Sequence, residues 1–233
     1  MRTIRHLLLD QVLPAALTSA SRLVLHASAV RLAGRAIGFL GRAGAGKSTL
    51  AAAMTRCGAS LVTDDALVVE GGSGELRAVP SYPGLRLWPG TGRLIDRSMG
   101  ILPRVADYST KERWAVPELR FRGRTAPVAA LFVVGSSSRT RPFVSRPLTG
   151  RRAVVALMRY TMLLDASDAA SVRDAFEMAA RIAREIPVSV LSVARGRRAL
   201  AAACDFLVTC MTSRNLRSPT CSRTGAAVSR QVI

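Results

Sequence analysis

One stretch constrains this chain more than any other: Gly41-Arg42-Ala43-Gly44-Ala45-Gly46-Lys47-Ser48, an ungapped match to G-x-x-x-x-G-K-[ST]. An apolar run, AIGFL, leads into it. The sequence that follows, KSTLAAAMTRC, is helical by propensity and stops naturally at Gly58. Strand, glycine-rich loop and helix in that order call for an α/β fold with the loop at a strand's C-terminal end. The glycines carry no Cβ, so successive backbone N–H groups can curl round a phosphate chain, and the helix beginning at Lys47 adds the positive end of its dipole. Lys47 would reach the β and γ phosphates and the Ser48 hydroxyl would hold Mg²⁺. The chain has two lysines, Lys47 and Lys111, and one of them stands where the motif demands it. Gly41 to Thr49 is therefore the expected nucleotide-contacting stretch, with ATP as its ligand.

The surrounding pattern predicts β-hairpins rather than a plain doubly wound sheet. Residues 22–32 read as one strand, Ala33-Gly34 as a tight turn, and Arg35–Leu40 as its returning partner. Ser60–Thr63 is a short strand ending at Asp64-Asp65. ALVVE, GGSG and ELRAV make a second hairpin. A Pro/Gly-rich stretch after Pro80 runs into a polar loop to about residue 116. Residues 127–134 read as a buried strand, 148–164 and 168–185 as amphipathic helices, 188–193 as a last strand and 197–208 as a last helix.

In a βαβ unit, one helix and one strand return the chain beside the glycine loop, which brings Asp64 and Asp65 to the same place. One carboxylate there can hold Mg²⁺, directly or through water, and another can accept a proton from an attacking hydroxyl. His26 is either a satisfied core histidine in the first strand or a side chain aimed at the site. Lys111 either reaches a transferring phosphoryl group or belongs, with Glu112 and Arg113, to an ordinary solvated loop.

Composition narrows the partners. At 49% hydrophobic, the 233 residues are not disordered wholesale, and no apolar run approaches a membrane span. The N-terminal MRTIRHLLLDQVLPAALTSA resembles a signal peptide superficially, but Asp10, Gln11 and Pro14 interrupt its apolar middle, so the cytoplasm is expected. Four cysteines without CxxC spacing argue against zinc and against a disulfide framework. The net charge of +19 is carried almost wholly by scattered arginines, with only 5% aromatic residues. That pattern argues against a nucleic-acid surface and suits an acidic or phosphorylated partner.

LHASAV, GFLGRAGAGKSTLAAAMTRCGASLVTDD and SYPGLRLWP together resemble the catalytic domain of HPr kinase/phosphorylases, and more closely the shorter HPr-kinase-related proteins, some of which accompany lasso-peptide genes. The resemblance covers about residues 20–210. It implies an α/β, HPr kinase-like fold: a P-loop nucleotide-binding core with flanking β-hairpins and C-terminal helices. An N-terminal segment (1–20) would precede that domain (21–211), and a flexible Arg/Ser-rich tail (212–233) would follow. The implied activity is an ATP- and Mg²⁺-dependent serine kinase acting on a small protein or ribosomal peptide, in a chain that can form a homo-oligomer. Asp64 then corresponds to the general base, Asp65 to a group that helps with metal or holds the site, and His26 to a histidine beside that aspartate. Lys111 and Arg113 correspond to basic residues of a later loop. Ala43 stands where the family has serine, and the family's separate N-terminal domain and phosphorolysis loop have no counterpart among the matched residues. Two other readings stay open, a small-molecule P-loop kinase and a non-catalytic ATP-binding regulatory module.

Overall fold

The apolar run APVAALFVV presents large side chains to both faces, so it folds as a strand covered on both sides, the situation of a central parallel strand. A computed structural model describes residues 3, 4, 12, 23–71, 74–81, 84–98, 102–114, 124–135, 141–163 and 165–212. Its elements are β1 (Leu23–Leu25), β2 (Ala27–Leu32), β3 (Arg35–Leu40), α1 (Lys47–Arg56), β4 (Ser60–Thr63), β5 (Leu67–Glu70), β6 (Arg77–Val79), β7 (Leu85–Leu87), α2 (Thr91–Ile95), β8 (Glu112–Trp114), β9 (Ala126–Val134), β10 (Phe143–Leu148), α3 (Arg151–Arg159), β11 (Thr161–Met162), α4 (Ala169–Glu185), β12 (Val188–Val193) and α5 (Arg197–Thr212).

β9 is the apolar run, and it lies parallel to β3 on one side and to β12 on the other. Antiparallel β2 and β4 extend the sheet beyond β3, and β10 extends it beyond β12. The start of β9 also pairs with β6, which continues through β5 and β1 to β11, all antiparallel. The β2–β3 hairpin turns at Ala33 and Gly34, both with positive φ (49° and 81°), the backbone of a tight turn that matches strand twist.

Alternation divides the core. Ile37 and Phe39 of β3, with Phe132 of β9, pack under α1 and α5 alongside Leu50, Met54 and Leu207. Leu40, Leu131 and Val133 point the other way, against Leu157 of α3 and Ile182 of α4. Helices thus cover both faces of the sheet. Among the described residues, no helix is long and apolar enough to cross a membrane.

Several expectations are corrected. The single strand expected over 22–32 is replaced by β1 and β2, because the chain bends at His26, whose N–H donates to the Tyr160 carbonyl (2.7 Å) instead of a strand neighbour. The polar loop to residue 116 contains α2 and β8. β8 pairs with β7, and together they bury Leu85, Leu87 and Trp114. The helix expected over 148–164 is confined to α3, because Leu148 ends β10 and Thr161 begins β11. Cys210 is disulfide-bonded, although the cysteine spacing argued against a disulfide framework. The N-terminal segment to residue 20, apart from residues 3, 4 and 12, and the tail beyond Thr212 lie outside the described residues.

Phe39 is fully buried and its ring lies 6.4 Å from that of Phe132. Phe39→Ala is expected to cost about 3–5 kcal/mol, read as a lower urea midpoint with an unchanged slope.

Candidate active site

The loop after β3 enters α1 through Gly46, whose φ of 102° lies in the left-handed region and which supplies no side-chain cap. A side chain there would be strained. The first N–H groups of α1 are left without a capping side chain, at the helix end that favours anions. Lys47 is 5% exposed, and its ammonium donates to the carbonyls of Gly41 (2.9 Å) and Arg42 (3.2 Å) and to His26 Nε2 (3.0 Å). An ammonium has no acceptor, so Nε2 must accept and the imidazole proton sits on Nδ1. Nδ1–H donates in turn to the Asp65 carbonyl (3.1 Å). The bend at His26 thereby ties the lysine to the backbone of the acidic pair.

Asp64 directly follows β4 and is 2% exposed. Its Oδ1 accepts from the hydroxyls of Ser28 (2.5 Å) and Ser48 (2.8 Å), and its Oδ2 from the backbone N–H of Arg86 (2.8 Å). Asp65 adopts a left-handed φ of 69°, uncommon outside glycine and tolerated best by Asn and Asp. Its side chain meets the Arg86 guanidinium at 2.8 Å. Arg86 also reaches the Asp64 carbonyl (3.4 Å). A cleft is lined by His26, Ala43, Gly44, Gly46, Lys47, Ser48, Thr49, Asp65, Arg86, Leu87, Trp88 and Lys111. The Lys111 ammonium lies 5.6 Å from the centre of the Trp88 ring, within cation–π range.

The environment separates the two acids. Burial raises the Asp64 carboxyl above its ordinary range, and the neighbouring Asp65 adds to this, against Arg86 and the Ser28 hydrogen bond. Burial also acts to raise Asp65, but Arg86, Lys111, His26 and Lys47 together hold it below the usual carboxylate range. Burial pushes His26 down, and the Lys47 ammonium pushes the same way. The Lys47 ammonium is itself lowered by burial, with Asp65 and Asp64 pulling it back up.

Of the residues singled out from sequence, Lys47, Ser48, His26, Asp64, Asp65 and Lys111 converge here, and Ala43, Gly44, Gly46 and Thr49 line the same cleft. Gly41 and Arg42 contribute carbonyls to Lys47. Ala45 packs against the core and Arg42 is exposed. Arg113 sits across from Arg86 in the β7–β8 pair and does not line the cleft. Three participants were not anticipated. Ser28 looked like a small strand residue, Arg86 like one of many arginines, and Trp88 like part of a turn. Arg86 and Trp88 lie in the SYPGLRLWP stretch and Ser28 in LHASAV, and the place of Arg86 between two apolar residues, in LRL, is a further signal because an unpaired charge there would be costly.

No family model matches the chain, and no curated protein matches it. Among solved structures it is similar to the Hpr(Ser) kinase/phosphatase from Coxiella burnetii, with a TM-score of 0.44 and 13% identity over 80% of this chain and 88% of that one. A likeness that weak carries no argument. The chemistry is therefore read from the site itself.

His26 sets a pH dependence. Its folded value lies below the ordinary 6.5, so as pH falls through that value the unfolded chain takes up the proton first and stability drops. Asp64 acts with the opposite sign, because its folded carboxyl takes a proton at higher pH than the unfolded one. That contribution is common to wild type and a His26 variant. His26→Gln is expected to flatten the loss of urea midpoint between pH 7.5 and pH 5.5 relative to wild type. An unchanged slope would place that acid sensitivity elsewhere.

Proposed function

We propose that this chain is an ATP- and Mg²⁺-dependent phosphotransferase that phosphorylates a serine hydroxyl on a small protein or peptide. The observation that carries the reading is the convergence of Lys47, Ser48, the Asp64-Asp65 pair, His26 and Lys111 at the uncapped start of α1. A triphosphate is the ligand that such a place suits, since it offers acceptors both to the first-turn N–H groups and to the ammonium.

The metal fits the residues present. Ser48 Oγ and Asp64 Oδ1 are hard oxygens 2.8 Å apart, a hydroxyl–carboxylate pair suited to Mg²⁺, which keeps several waters and takes few protein ligands. Among the described residues, no group of three or more His, Cys, Asp or Glu side chains is placed to hold a metal ion. When bound, Mg²⁺ supplies charge neutralisation on the β and γ phosphates.

The remaining work falls to the chain. Lys47 would exchange its carbonyl partners for phosphate oxygens. His26, neutral and with its Nδ1 proton engaged by the Asp65 carbonyl, would keep Lys47 in line. Ser28 and the Arg86 N–H fix Asp64. The carboxylate open to an incoming hydroxyl is Asp65, with a side chain 22% exposed in the cleft. We therefore assign the acceptor-facing role to Asp65 and the metal side to Asp64, whose two oxygens are already engaged by three donors. This reverses the division that the family resemblance implies. Asp65 is a weak base beside Arg86, which is adequate where the transition state is loose and the hydroxyl proton leaves late. Lys111 would neutralise charge on the transferring group. The excess of arginine suits an acidic acceptor.

Two variants separate the steps. Lys47→Ala is expected to weaken ATP binding more than tenfold by calorimetry. Asp65→Asn is expected to bind Mg-ATP normally and to lose transfer to a serine-bearing acceptor by about 10²–10⁴-fold, followed by intact-mass spectrometry. Normal transfer by Asp65→Asn, with Asp64→Asn retaining Mg²⁺-dependent ATP binding, would overturn the assignment.

Arg86→Ala tests the scaffold. It leaves Asp65 without its guanidinium, at an expected cost of about 2 kcal/mol, below the range for a fully buried pair because Asp65 still meets solvent. Thermal unfolding of the variant reads this directly.

A further inference from the structure

The far end of α1 carries a second chemical feature. Cys57 caps that helix and is exposed, whereas Cys204 lies mid-way along α5 and is 2% exposed. The two helices pack across the same core cluster, and the two sulfurs are hydrogen-bonded to each other. Both are free thiols.

From this juxtaposition we propose that Cys57 and Cys204 form a reversible dithiol–disulfide pair, with Cys57 the thiol that attacks low-molecular-weight disulfides and Cys204 the thiol that resolves the mixed disulfide.

The environment divides the roles. The Cys204 thiol donates its hydrogen bond to the Cys57 sulfur and lowers the Cys57 thiol to about 7, against burial and the Asp205 carboxylate. The same contact, with burial, raises Cys204. A thiol near pH 7 that is also exposed is the one that attacks. The Cys57 thiolate attacks one sulfur of an oxidised-glutathione-type disulfide. The S–S bond of that molecule breaks, and the departing thiolate takes up the proton that Cys57 gave away. Cys204 then attacks the Cys57 sulfur, its proton passing to the second departing thiolate. The chain loses two hydrogens and the small disulfide becomes two thiols. The sulfurs must close from hydrogen-bond contact to about 2.05 Å. Cys204 is locked inside α5, so the movement falls on the last turn of α1 and on Gly58, whose φ of 90° already makes a reversing turn.

The test needs no nucleotide, so its result is independent of the activity proposed above. The full chain is reduced, freed of reductant, exposed to oxidised glutathione at pH 7 and digested without reduction for peptide mass mapping. The expected product is a Cys57–Cys204 crosslinked peptide that returns to two thiols with dithiothreitol. Cys204→Ala should instead stop at one glutathione on Cys57, and Cys57→Ser should leave Cys204 unmodified. Because Cys210 is itself disulfide-bonded, mapping rather than total mass decides the pairing. Glutathione persisting on Cys57 in the wild type, or a bond from Cys57 to Cys210 or Cys221, would overturn the proposal. The wild-type map decides even if a variant fails to fold.

Discussion

The carboxylate of Asp64 holds the site together. Through Ser28 it reaches β2, through Ser48 the first turn of α1, and through the Arg86 N–H it reaches β7. Three elements far apart in sequence are thereby fixed around one buried charge. Such a charge is tolerated only when its lone pairs are taken, so its neighbours are constrained by it. Ser28 is fully buried for this reason, and β7 is drawn across the mouth of the loop where Arg86 can also hold Asp65. The arrangement gives up some stability to desolvation and gains a fixed geometry. Two adjacent acids are driven apart in character, one enclosed and one facing solvent beside a guanidinium.

The sheet supplies the frame. β3, β9 and β12 run parallel at its centre, and the glycine-rich loop leaves β3 at the strand end where open α/β sheets expose ligand sites. The antiparallel β2–β3 hairpin and the β1–β5–β6 wing are added to this centre without interrupting it. The bend at His26 marks the crossing from the wing to the centre, so one residue serves both as a corner in the backbone and as the lysine's partner.

Legibility in the sequence followed the range of the interactions. The glycine-rich loop, α1, β4 and the β5–β6 hairpin were readable because their signals are local: glycines at fixed spacing, a helix stop at Gly58, a turn between alternating runs. Asp64 and Asp65 could be placed because one helix and one strand have few ways to return. His26 was set in the right neighbourhood but inside a strand, since nothing local shows that its N–H is taken by Tyr160, 134 residues later. Ser28, Arg86 and Trp88 act through long-range partners, and in a chain so rich in arginine a single one stands out little. The β7–β8 ribbon escaped because its strands are three residues each and far apart in sequence.

The ammonium of Lys47, satisfied by two carbonyls of its own loop and by a neutral imidazole, sets an entry threshold for anything that binds there. A ligand must replace the two oriented carbonyls, with His26 kept in place, before it gains anything from the lysine. A chloride ion offers one centre with no preferred direction, and a lone carboxylate offers two oxygens in a plane. A chain of phosphoryl groups offers many, spaced along the arc of the loop. A loop held in this way would discriminate among anions by the number and spacing of their oxygens rather than by charge alone. In a salt-rich medium Lys47 would keep the carbonyls of its own loop until a polyphosphate arrived.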